Sequence, residues 1–201
     1  MINVTLDVTG ESALSATLER VPKGIGRALV EGMVQVGLGL RAHLTDDHLS
    51  GQDLQVRTGT GRRSAFYRVE TGGDQDVAVV VGNDLRKARY MRAQEKGATI
   101  TPRSAASLTI PIGNAKTAKG VARFSARDVI ASPGSFGYVG TFVRDGILFG
   151  TTGKKERPAP LFILAKRVNL RPVGFLARTL SEKREWAQQT LSDVVGRALE
   201  P

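Results

Sequence analysis

The side chains best suited to chemistry sit close together near position 45. The chain holds only two histidines, His43 and His48, and Asp46 and Asp47 lie between them. Asp46-Asp47-His48 offers oxygen and imidazole donors that can hold a divalent cation, and His43 with Asp46 can form an acid–base pair. A catalytic zinc centre needs three protein ligands, and a Ser-His-Asp triad needs partners that this neighbourhood does not supply. No third ligand is near in sequence, so the simpler reading is a helix end carrying solvated polar groups. There is no cysteine, which excludes a disulfide scaffold, thiol catalysis and thiolate metal sites. The expectation is therefore a chain with no catalytic residue, no cofactor and no metal, working in a reducing compartment.

Positive charge is the other resource. The 201 residues carry 29 Lys and Arg against 19 Asp and Glu, a net charge of +10. Residues 101–160 hold nine of the basic side chains and only three of the acidic ones. Lys116, Lys119, Arg123 and Arg127 fall in one Gly- and Ala-rich stretch, and Lys154, Lys155 and Arg157 in another. These seven are the candidate residues for a subunit interface or for DNA contact. Phosphates need only positive charge close by, and acidic surfaces of neighbouring proteins serve equally well. Aromatic residues are 5% of the chain, and Phe124 alone makes no stacking platform for single strands. The bland alternative is a solvated surface that keeps the protein soluble.

Glycine motifs add nothing catalytic. Gly37-Leu38-Gly39-Leu40-Arg41-Ala42 fits a loose dinucleotide-binding pattern, but it lies late in an expected helix instead of between a strand and a helix start. Gly113-Asn114-Ala115-Lys116-Thr117 lacks the Gly-Lys pair of a phosphate-binding loop. Gly59-Thr60-Gly61 reads as a flexible turn. No apolar run approaches the length of a membrane span, and the first residues show no secretory signal.

The elements that must position these residues follow from periodicity. Ile2 to Val8 alternates as a strand with one buried face. A short helix is expected over Ser12–Arg20, and a long one over Lys23–His43 with Ile25, Leu29, Met33, Val36, Leu40 and Leu44 as its stripe. That helix contains Gly24, Gly26, Gly32, Gly37 and Gly39, which demands close packing, as against a sheet backbone. Residues 49–57 read as irregular and Thr58–Val69 as a short helix. Val77–Val81 is a β-branched run of the kind found in a central strand, followed by a turn at Gly82-Asn83-Asp84. Leu85–Lys96 reads as a helix closed by Gly97. Short extended pieces follow at 100–102 and 108–112. Residues 113–135 read as a projecting or flexible loop, then a hairpin turns at Asp145-Gly146. After another loop come a strand over Leu161–Val168 and a last helix over Gly174–Leu199. This order lacks βαβ alternation. It predicts a single α+β domain over residues 1–201, an antiparallel or mixed sheet packed by long N- and C-terminal helices, with a projecting region at 113–160.

The stretch Arg89-Tyr90-Met91-Arg92-Ala93-Gln94-Glu95-Lys96-Gly97-Ala98-Thr99-Ile100-Thr101-Pro102 resembles a segment of the tail-completion and minor tail proteins that join head and tail in long-tailed bacteriophages and prophages. Leu108-Thr109-Ile110-Pro111, Leu161-Phe162-Ile163-Leu164, Pro172-Val173-Gly174-Phe175-Leu176 and the early Val56-Arg57-Thr58-Gly59 resemble further pieces of that family, in the same order. The resemblance implies a virion structural protein of the neck or tail, assembled in host cytoplasm without catalysis. It also implies a homo-oligomeric ring, with a hexamer favoured, that touches other neck and tail proteins and no membrane. On this reading residues 113–160 reach neighbouring chains, and deleting 115–130 leaves a folded protein. A basic DNA-binding accessory protein is the second expectation, and a small hydrolase using His43 or His48 the third.

Overall fold

A computed structural model describes residues 4–5, 24–72, 76–153 and 156–199. The chain is α+β, and among the described residues every strand pair is antiparallel. It divides into two compact units: residues 1–96 with 172–201, and residues 97–171.

The first unit is built on a three-stranded sheet. Strands β1 (Val4–Thr5), β2 (Ala65–Thr71) and β3 (Val77–Asn83) lie in the order β1-β3-β2. The Val-rich run is thus central, as its two-sided apolar character requires. Of the expected first strand only Val4–Thr5 belongs to the described residues, and the expected helix at 12–20 lies outside them. Helix α1 (Gly24–Asp46) lies on β2 and β3, and the last helix of the chain, Phe175–Leu199, packs along α1. Ile25, Met33, Val36, Leu40 and Leu44 of the expected stripe are buried.

Side chains, not a sheet backbone, fill the space over Gly32, Gly37 and Gly39 of α1. A Cβ at Gly37 would come within 2.5 Å of the Tyr67 ring and 2.8 Å of Val79, and one at Gly39 would overlap the Trp186 ring. Val79 is buried, so the Gly37 contact has little room to relax. Gly37→Ala is therefore expected to lower stability by about 1–2 kcal/mol, an overpacking cost partly offset by better helix propensity. A urea titration checks this, and a gain in stability would contradict it.

Residues 58–69, expected as one helix, split. Helix α2 (Thr60–Ser64) is a single turn, and β2 begins at Ala65. The whole of β2 pairs with β3, from Ala65↔Asn83 to Thr71↔Val77. A full antiparallel ladder outweighs the weak helical spacing of Ala65, Phe66 and Val69. Asn83, expected in a turn, ends β3 and is buried; its Nδ2 donates to Gly61 O at 3.1 Å and to Ser64 Oγ at 2.9 Å, which holds α2. Helix α3 (Tyr90–Lys96) is shorter than the periodicity suggested, and Gly97 closes it with φ 72°. Its Glu95 accepts the Leu176 amide at 3.1 Å, an anion at the start of the last helix where the dipole favours one.

The second unit holds a four-stranded sheet. Strands β5 (Leu108–Pro111), β6 (Gly140–Arg144), β7 (Ile147–Thr151) and β8 (Ala159–Ala165) lie in the order β5-β8-β7-β6. A smaller ribbon pairs β4 (Ala98–Ile100) with β9 (Val168–Leu170). The hairpin turns where expected, with Asp145 at φ 50° and Gly146 at φ 73°, the two left-handed residues of a tight turn. The stretch 113–135 is structured. Gly113–Ala115 forms a 3₁₀ turn, Lys116 bridges to Ala122, and helix α4 spans Ala126–Ala131, capped by Ser125, which accepts the Asp128 amide at 3.1 Å. Ala115, Ala126 and Val129 enter a core with Tyr138, Leu148, Leu161 and Phe162. A deletion of 115–130 therefore removes core side chains and does not spare the fold of this unit.

Candidate functional site

The seven basic candidates are only partly brought together. Lys116 and Arg123 stand side by side: Arg123 N donates to Ala115 O at 2.9 Å and Arg123 Nε to Lys116 O at 3.2 Å. Lys119 occupies the tip between them, where Gly120 N donates to Thr117 O at 2.8 Å and Thr117 N to Val121 O at 2.8 Å. Arg127 lies in the first turn of α4, four residues after Arg123. Arg157 is in the loop before β8, while Lys154 and Lys155 lie outside the described residues. Lys116, Lys119, Arg123, Arg127 and Arg157 are exposed, and none forms an ion pair among the described residues. Their charge is open to an anionic partner.

The sheet of this unit offers a second surface. Its buried face carries Leu148 and Phe162. On the opposite face Ile110, Ile163 and Ile147 lie in register across β5, β8 and β7. Phe142 stacks on Phe149 there, with ring centroids 5.3 Å apart. Phe142 and Ile163 are each 39% exposed, and Val139, just before edge strand β6, is 77% exposed. No sequence signal distinguished this face, because both faces of β7 and β8 are apolar.

The histidine cluster assembles differently from the expected grouping. Asp46 turns away to Arg62, with Nη2 3.0 Å from Oδ1, so neither the His43–Asp46 pair nor the Asp46-Asp47-His48 triplet forms. His43 Nδ1 instead meets Asp47 one helical turn on, and its Nε2 meets Glu182 Oε2 at 2.8 Å. His48 sits in the 3₁₀ turn His48–Ser50 that follows α1 and is fully buried. Its Nδ1 lies 2.6 Å from Asp53 Oδ2, and Asp53 Oδ1 accepts Arg178 Nη1 at 2.5 Å. His48 Nε2 is 3.3 Å from Glu182 Oε2, out of hydrogen-bonding alignment, and has no hydrogen-bond partner. The two rings meet edge to face, 5.0 Å between centroids.

Glu182 comes from the last helix, α5 (Phe175–Leu199), where Arg178 and Glu182 are one turn apart. The hydrogen bond from His43 holds its carboxyl below the ordinary carboxylate range; lost hydration opposes this, and the nearby His48 charge adds to it. Neither Glu182, Asp53 nor Arg178 was singled out from the sequence. The one available hint was the Arg-x-x-x-Glu spacing on the polar face of a predicted helix, which marks a solvated face equally well. Such a set can hold a cation through imidazole and carboxylate donors, or it can serve as a salt network tying α5 to the end of α1.

Among the described residues no helix is long and apolar enough to cross a membrane. No protein-family model matches this chain, and comparison with curated proteins and with solved structures gives no match.

Proposed function

We propose that the chain is a structural protein of the head–tail junction or neck of a tailed phage, acting by assembly into a homo-oligomeric ring, a hexamer by preference. The observation that carries this reading is the apolar outer face of the β5-β8-β7-β6 sheet. Monomeric proteins seldom leave such a face open, and an unpaired edge strand such as β6 invites a neighbour. Contact between unlike surfaces of successive copies closes a ring. The ordered resemblance over about residues 20–185 to tail-completion and minor tail proteins supports the same role, and no step of it needs catalysis. Neighbouring neck proteins and acidic surfaces are the natural partners of the cationic 116–127 surface.

Sedimentation of the purified chain tests the reading. Wild-type protein is expected to form a closed oligomer, and Phe142→Arg with Ile163→Glu, both on the outer face, to yield a folded monomer. A wild-type monomer at every concentration, or an oligomer indifferent to these changes, would overturn it.

The cationic surface favours a second reading, an accessory protein that binds duplex DNA. Changing Lys116, Lys119, Arg123 and Arg127 to Glu takes the net charge from +10 to +2, each change removing two charges. Stability should stay within about 0.5 kcal/mol per site, since all four are exposed. If DNA is the partner, the slope of log affinity against log salt should fall by about one for each phosphate no longer neutralised. No binding at low salt excludes this reading.

A further inference from the structure

We propose that His43, His48 and Glu182 form a binding site for one first-row transition-metal ion of the zinc class, which ties α5 to the end of α1. The proposal stands whether or not the chain assembles into a ring. His43, His48 and Glu182 each offer one ligand atom within 4.8 Å of the other two. Glu182 Oε2 is 2.8 Å from His43 Nε2 and 3.3 Å from His48 Nε2. Donors about 2.0–2.2 Å from a tetrahedral zinc are roughly 3.4 Å apart, so small side-chain shifts would complete the set.

The outer groups fit a metal better than a plain salt network. Each histidine turns its Nδ1 to a carboxylate, His43 to Asp47 and His48 to Asp53. An acceptor at Nδ1 fixes the tautomer whose Nε2 lone pair faces an ion, and metal-binding histidines almost always have one. Arg178 holds Asp53 in turn. His48 Nε2 is buried, makes no hydrogen bond and lies 3.3 Å from Glu182 Oε2, so it is a donor atom aimed into the cluster. Asp47, Asp53 and Glu182 surround the two imidazoles, with Arg178 on Asp53, so a divalent cation can take the place of the protons that the rings carry toward Glu182. Two imidazoles with one carboxylate suit zinc, cobalt or nickel; magnesium and calcium prefer oxygen sets. Glu182 is 41% exposed, so water has access to the fourth position.

The test is a titration of the untagged full-length chain, stripped with a chelator, with Co²⁺ and then Zn²⁺. The chain has two histidines and no cysteine, so histidine-dependent binding has one place to occur. The expected result is one Co²⁺ per chain with the visible absorption of a four-coordinate site, displaced by Zn²⁺ and untouched by Mg²⁺. Zinc at a hundredfold excess over its Kd should raise the melting temperature by roughly 5–10 °C. Imidazole nitrogen NMR should show both Nε2 signals move on zinc addition. Glu182→Gln and His43→Gln change groups that are not fully buried and should retain the fold of the stripped protein while weakening binding at least tenfold. Absence of stoichiometric binding in the wild type, or unchanged affinity in either variant, overturns the proposal; a salt network alone gives the first of these.

Discussion

Phe175→Ala is expected to destabilise the first unit by about 3–5 kcal/mol, the largest single effect anticipated in this chain. Phe175 is fully buried, in one cluster with Leu40, Leu44, Met91 and Leu176. It also opens α5 at a point the backbone holds firmly. Val173 N donates to Gln94 O at 2.8 Å and Gly174 N to Glu95 O at 3.2 Å, while Glu95 caps Leu176. These bonds keep α5 from sliding to close the cavity, so the loss should sit near the upper end of the range. The shift in urea midpoint at constant slope measures it. A loss below about 1.5 kcal/mol, short of the usual range for such a truncation, would show that the α3–α5 junction yields.

Asp53→Ala comes next, with an expected loss of about 3 kcal/mol. The Asp53 side chain is 4% exposed and joins the fully buried His48 to Arg178. Removing it strands a buried imidazole N–H, and breaking a buried pair from one side costs far more than the pair contributes. Arg178→Ala should cost less than about 1 kcal/mol, because the arginine is half exposed. Denaturation of both variants in the presence of a chelator provides the comparison. Equal losses would mean that Asp53 acts only through the surface ion pair.

Recognition of the site followed how local its signals were. His43 and His48 stood out by rarity, and their place at the end of α1 followed from the apolar stripe before them. The cationic residues stood out by composition, and the five of them that are described are exposed. What was missed was partner choice. Asp46 ends α1 and Asp47 continues its helical path, donating its amide to His43 O, so their side chains point about 100° apart; only Asp47 lies one turn from His43, and Asp46 goes to Arg62.

The elements that sequence by itself determined are those whose signal repeats within one segment. The stripes of α1 and α5, the β-branched run of β3, and the Asp145-Gly146 turn each answer to nearest-neighbour geometry. Tertiary structure alone decided the rest. Residues 65–71 are a strand because β3 supplies a complete ladder, and residues 113–135 are ordered because Ala115, Ala126 and Val129 find the far side of a sheet. Glu182 reaches His43 across 139 positions. Such a meeting depends on how α5 seats against α1, and the packing of two helices leaves no periodic trace at the polar residues it happens to bring together.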